Sequence, residues 1–340
     1  MNSRSDGEKN NAIELLRFLF CCAVFLFHFR EFGGYASSRA FTGGYLGVEF
    51  FFLTAGFLLY SHLSIRPARQ SPVREALIYL KGRYVRLYPE YLISVLLLMG
   101  AKLLAGSISL TRALTRGLPD ILALQAFIRP YSIGRPLWFV SALIWASAAV
   151  VFFLRFNEKV FLRFVVPAAV AALLFSVWRF GTVDVTQDRY APVTLFRAFA
   201  EIGVGCELCV AFETLARWSR RIPEALRTAG ETALFAGSLL ILFFARQGLG
   251  DGAAILWIAA LVPVFFLCRG GLSRIMDNGV SGFLGSLSYL MYLNQNTVMI
   301  LTEKLAPDLP FAAAALLRLV LLMLLSWLIK LAFSAVRRKV

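Results

Sequence analysis

Stretches of mostly apolar residues recur along almost the whole chain, separated by short polar and basic loops. A membrane-spanning helix needs roughly 20 such residues, and on that measure the pattern predicts about ten spans. They run approximately over Ile13–Phe29, Tyr45–Leu63, Tyr84–Leu104, Leu137–Leu154, Val160–Trp178, Val193–Phe212, Thr228–Ala245, Ala253–Cys268, Phe283–Leu301 and Phe311–Ala335. The segment Leu118–Ile128 is apolar but too short to span, which predicts a re-entrant or interfacial piece. The loops leave no room for a separate soluble domain. The expected architecture is therefore an all-α, polytopic membrane helix bundle forming one domain over residues 1–340, with short tails at 1–12 and 336–340.

Composition narrows the class. Of the 340 residues, 59% are hydrophobic and only 16% charged, against a usual apolar share of about 45–50%. A disordered chain is excluded, and so is an ordinary soluble domain with one core. The net charge of +15 would suggest nucleic acid in a soluble protein. Here placement explains much of it: about 20 of the 35 basic residues fall on one side of the predicted topology and about 10 on the other. That bias puts both termini in the cytoplasm and requires no nucleic-acid partner. The first apolar stretch follows Arg4 and Lys9 as a signal peptide would, but Arg17 and His28 lie inside it and argue against cleavage. All five cysteines fall in apolar spans. Cys206 and Cys209 have a CxxC spacing without a second pair or nearby His, so packing is expected there rather than a metal site or disulfide.

Ionisable groups inside spans cost about 2.5–3.5 kcal/mol each on insertion scales, so each one needs a reason. Arg17 and His28 are eleven residues apart in the first helix, three turns or ~16 Å, on one face. Glu49 enters the second helix near the depth of His28 if the two helices form an antiparallel hairpin. A carboxylate beside an imidazole would suit a general base acting on a hydroxyl; pairing of Glu49 with Arg30 or Arg39 is the other possibility. Arg83 and Arg86, three apart at the start of the third helix, present two guanidinium groups on one face. They suit phosphate groups, or are plain cytoplasmic charge. Arg197 and Glu201 can pair within the sixth span and read as mainly structural. Glu207 has no evident partner, and His62 reads as interfacial. The ninth span carries Asn294-Gln295-Asn296 after Ser288, Tyr289 and Tyr292. Three consecutive amides cannot all face lipid, so they glue helices together or line a polar cavity.

Taken together, these residues resemble the acyltransferase-3 family of integral membrane O-acyltransferases, from Asn11 to about Ile300. Arg17 through His28 is similar to an Arg-x10-His signature. Gly47-Val48-Glu49-Phe50-Phe51-Phe52, with Gly56-Phe57, is similar to a second-helix motif, and Arg83-x-x-Arg86-Leu87-Tyr88-Pro89 to an Arg-x-x-Arg segment. Pro136-Leu137-Trp138-Phe139 and Leu287-Ser288-Tyr289 with Tyr292-Leu293 resemble later motifs. The resemblance implies transfer of an acyl group, usually acetyl from acetyl-CoA as co-substrate, to a hydroxyl of a surface glycan or its lipid-linked precursor. It implies His28 as the catalytic histidine, with Glu49 expected to assist it, and Arg17, Arg83 and Arg86 on the CoA side. Trp138, Tyr289, Tyr292, Asn294, Gln295 and Asn296 are expected to line the substrate path. No metal is implied, and a bacterial inner membrane is the expected location. Gln295 stands where many relatives carry His, Ala55 replaces a frequent Ser, and Leu143 stands where some branches carry Glu. A transporter or flippase for a lipid-linked sugar is the alternative. It would also account for buried polar groups and basic loops, but inverted repeats, a frequent transporter signature, are not visible.

Overall fold

The computed structural model of the chain describes residues 10–127, 133–185, 191–303 and 309–337. The expected tails at 1–9 and 338–340, with Arg4 and Lys9, lie outside the described residues, as do Ile128, Arg129, Arg189 and Lys304. The described residues form twelve α-helices and no strand: α1 (Asn11–Phe32), α2 (Gly47–Ser64), α3 (Pro72–Leu104), α4 (Leu110–Ile121), α5 (Trp138–Val160), α6 (Val166–Phe180), α7 (Ala191–Arg221), α8 (Glu224–Phe244), α9 (Asp251–Leu267), α10 (Gly271–Met276), α11 (Gly279–Thr302) and α12 (Phe311–Arg337).

Six helical runs are long and apolar enough to cross a membrane, and together with the outward-facing leucines described below they make this a helical membrane bundle. One of the six, Trp138–Phe180, takes in two expected spans over 43 residues. The break expected between Leu154 and Val160 is present: Asn157 leaves helical geometry at φ −160°, ψ 96°, its side chain accepts from the Val160 amide at 3.1 Å as an N-cap does, and a π-helical turn follows at Phe161–Val165. The remaining expected spans are also helical. However, α7 carries Arg197, Glu201, Glu207 and Glu213, α11 has a polar middle, and α9 has 17 residues. Six is therefore the number that length and composition establish. Leu96, Phe175, Leu240, Leu256, Leu316 and Leu328 are all exposed. Water would penalise such a surface, and lipid accepts it.

Helix α3 begins at Pro72, twelve residues before the expected Tyr84. Ser71 caps it by accepting from the Arg74 amide, and Pro72 occupies the first turn. In α4, Leu110, Leu114 and Leu118 are exposed at a spacing of four, while Ala113, Gly117 and Asp120 face inward. That stripe fits a helix lying at the interface; only its end, from Leu118, overlaps the stretch Leu118–Ile128 expected to be re-entrant or interfacial.

Two close approaches set the interior. A Cβ on Gly56 would collide with the Ile202 carbonyl, and one on Gly205 with the Leu53 carbonyl. Only glycine lets α2 and α7 come this near. On the other side, a Cβ on Gly285 would collide with the Glu14 carbonyl of α1. The thiol of Cys21 donates to the Ser288 carbonyl at 3.2 Å. The first helix is thus packed along α11, and the second along α7.

Candidate active site

Helices α1 and α11 run parallel and in register. Cys21 meets Ser288, and His28 meets Gln295, the two contacts lying seven positions apart on each helix. Seven residues return both helices to the shared seam after two turns. Nδ1 of His28 lies 2.9 Å from Oε1 of Gln295. The amide nitrogen of Gln295 donates to the Tyr292 carbonyl at 2.9 Å, so its oxygen is the end that meets the imidazole. The neutral histidine therefore donates from Nδ1 and carries its lone pair on Nε2. The ring lies near Phe27 (5.6 Å) and Phe32 (6.0 Å, 27° between planes).

The other amides divide among neighbouring helices. Asn294 donates to Ser94 Oγ of α3 at 2.9 Å and to the Leu290 carbonyl, while its own Oδ1 is buried without a hydrogen-bond partner. Asn296 is half-buried and makes no hydrogen bond among the described residues. Tyr292 donates to the Pro136 carbonyl at 2.8 Å, and Tyr289 to the Leu87 carbonyl at 3.1 Å. Helices α1, α3 and α11 thus meet around a polar seam.

Toward the other end of that seam lie the predicted arginines. Arg17, about a third exposed, pairs with Glu14 at 3.1 Å. Arg83 donates from Nε to the Tyr79 hydroxyl at 2.7 Å and stands over that ring. It is also near enough to act electrostatically on Tyr289. Arg86 is exposed and has no hydrogen bond or ion pair among the described residues.

Glu49 does not take the position expected of it. Arg197 of α7 donates to both its carboxylate oxygens, and the hydrogen bond to His28 Nδ1 belongs to Gln295. The reason lies in the packing: the glycine contacts press α2 on α7, so Glu49 enters the α2–α7 interface. Arg197 is itself fully buried. It also lies 3.6 Å from Glu201 and 3.8 Å from Asp184, donates to the Val183 carbonyl, and stands over the Trp138 ring at 5.7 Å. Trp138 is buried and committed to this cluster and to Phe52. Asp251 extends the network, accepting from Tyr45 (2.5 Å), Thr182 (2.7 Å) and the Val183 amide (2.8 Å). Both carboxylate oxygens of Glu201 are buried without a hydrogen-bond donor. One guanidinium between two fully buried carboxylates leaves a negative charge in excess, which a proton on Glu201 would balance.

Sequence reasoning placed Arg197 and Glu201 in one helix but missed the bond across to Glu49. The buried Arg197 was the available signal, since a cation at such depth needs more than an intrahelical partner. His62 is exposed, in keeping with an interfacial place, and Glu207 is half-buried without a partner among the described residues. Among the described residues no group of three His, Cys, Asp or Glu converges to hold a metal ion.

No significant match to the chain was found among curated proteins or among solved structures. A family model described as an acyltransferase domain matches residues 10–333, nearly the whole chain. The match takes in α1 with His28, the arginines of α3 and the amides of α11. The chain belongs to the acyltransferase-3 family and is a membrane acyltransferase.

Proposed function

We propose that the protein transfers an acyl group, acetyl being the expected one, from acyl-CoA to a hydroxyl of a surface polysaccharide or lipid-linked glycan. His28 is the general base. The observation that carries this assignment is the His28–Gln295 hydrogen bond, which leaves the lone pair on Nε2. Both termini lie in the cytoplasm and the membrane is the bacterial inner membrane; the parallel course of α1 and α11 agrees with both being odd-numbered spans.

Acyl-CoA reaches the bundle from the cytoplasmic side, where Arg83 and Arg86 receive its phosphates. Its thioester passes Arg17 along the seam toward His28, ~16 Å away on the same helix face. As the acceptor oxygen attacks the thioester carbonyl, Nε2 takes the hydroxyl proton. The carbon–sulfur bond then breaks, and the imidazolium returns the proton to the CoA thiolate. Gln295, rather than Glu49, holds the imidazole in the tautomer this requires. Glu49 acts at a distance, fixing Arg197 and with it the α2–α7 contact.

Purified protein in nanodiscs, supplied with labelled acetyl-CoA and a panel of glycans, should release CoA and place label on glycan hydroxyls. Movement of a lipid-linked sugar across the bilayer without acylation would contradict the proposal.

A further inference from the structure

Beyond the C-terminal end of α1 lies an open cleft of about 450 Å³, within the size range of small-molecule sites. Its walls are the last turn of α1, the loop that follows, and the turn after α8. Arg30 ties the first two together, donating to the carbonyls of Ala36 (3.2 Å) and Ser38 (3.3 Å) and pairing with Glu31. Thr42 ties the loop to α8 through its amide, which donates to the Phe243 carbonyl at 3.2 Å. The cleft is therefore held open by its own hydrogen bonds.

Among the described residues its lining carries an excess of positive charge. Arg30, Arg39 and Arg246 line it, and Glu31, already paired with Arg30, is its one lining carboxylate among the described residues. Arg39 and Arg246 are exposed and have no hydrogen bond or ion pair among the described residues. Nε of Arg30 is buried without an acceptor. The nearby Asp184 is engaged by Gln247 and Arg197. Ser37 and Thr42 also line it, the Thr42 hydroxyl donating to the Phe243 carbonyl at 3.4 Å.

We infer that this cleft binds an acidic glycan: guanidinium groups hold its carboxylate or phosphate, and the hydroxyls engage its sugar oxygens. The inference rests on the acyl-transfer proposal and deepens it by assigning the acceptor to the anionic class. It also gives Arg39 and Arg246 a role in selecting that acceptor.

The test is direct binding, which needs no turnover. Protein in zwitterionic-lipid nanodiscs would be titrated with trigalacturonate and with its fully methyl-esterified form, which has the same hydroxyls and no charge. The acid should bind at least about 10-fold more tightly, and the Arg39→Ala/Arg246→Ala variant should lose that preference. The Arg39→Lys/Arg246→Lys variant should keep a salt-sensitive part of it. Equal binding of acid and ester, or a preference unchanged in the double alanine variant, would overturn the inference. So would binding that disappears once phosphatidylglycerol is included, since the cleft would then be taken by lipid headgroups. Acid-selective binding that survives in His28→Ala supports the cleft independently of the chemistry. If it held while wild-type protein acylated no acceptor, the acyl-transfer proposal would fall and the cleft would stand.

Discussion

Nδ1 of His28 and Oε1 of Gln295 stand 2.9 Å apart across the α1–α11 seam. An amide oxygen, not a carboxylate, accepts the hydrogen bond from the imidazole N–H. It can do so in one orientation only, because the amide nitrogen is bound to the Tyr292 carbonyl. Gln295 is thus a positioning residue. Gln295→Ala should lower kcat by about 10–100-fold, on the scale of losing a supporting hydrogen bond, with little change in KM for acyl-CoA. Gln295→Glu, which keeps the acceptor oxygen, should recover part of the rate. Full activity of the alanine variant would mean that the bond does not orient the base.

The Arg197 cluster yields a prediction about stability. Glu49→Ala removes both hydrogen bonds between this carboxylate and a buried guanidinium, leaving it Glu201 and Asp184 at 3.6 and 3.8 Å, and should cost about 1.5–3 kcal/mol, the usual scale for hydrogen bonds to a charged group. Glu201→Gln should cost less than about 1 kcal/mol, because a protonated Glu201 is already neutral and of the same shape. Unfolding in detergent, followed by tryptophan fluorescence, compares the two. The opposite ranking would place the balancing proton elsewhere.

Packing of α2 on α7 depends on the absence of two side chains. Gly56→Leu should destabilise the bundle by at least about 3 kcal/mol, at the upper end of overpacking costs, since backbone rather than a movable side chain stands in the way. Gly100 lies in α3 with open space around it. Gly100→Ala should therefore stabilise the protein by about 0.5–1 kcal/mol through helix propensity. Thermal unfolding of the two variants should move in opposite directions.

On the donor side, Arg86 is exposed and makes no protein hydrogen bond or ion pair among the described residues, whereas Arg83 is engaged by Tyr79. Arg86→Ala should raise KM for acyl-CoA by about 10-fold with kcat nearly unchanged, as loss of a charged phosphate contact would. Melting temperature should stay within error. An unchanged KM would remove Arg86 from the donor site.

The helix positions were legible because lipid demands long apolar runs, and the chain supplies them at regular intervals. Helix ends were less so: hydropathy stops at Tyr84 and Phe212, yet α3 starts at Pro72 and α7 continues to Arg221. Polar helical turns beyond the apolar segment add nothing to a hydropathy signal, although Ser71-Pro72 was a readable cap. His28 and the α11 amides stood out as polar groups in apolar surroundings. Their pairing did not. A hairpin between α1 and α2 suggested Glu49 as the partner of His28, but helix adjacency is chosen by where backbones can approach. Gly285 brings α11 to α1, while Gly56 and Gly205 draw α2 to α7. Such contacts join residues hundreds of positions apart, and no local periodicity encodes them.

The central claim is that Nε2 of His28 takes the acceptor proton. It is tested most directly by measuring acyl transfer from labelled acetyl-CoA to a glycan hydroxyl, using wild-type and His28→Ala protein reconstituted side by side. Transfer should fall by about 10²–10⁴-fold, the usual contribution of a general base, while acyl-CoA binding and melting temperature are retained. Transfer by His28→Ala at a rate near wild type would contradict it.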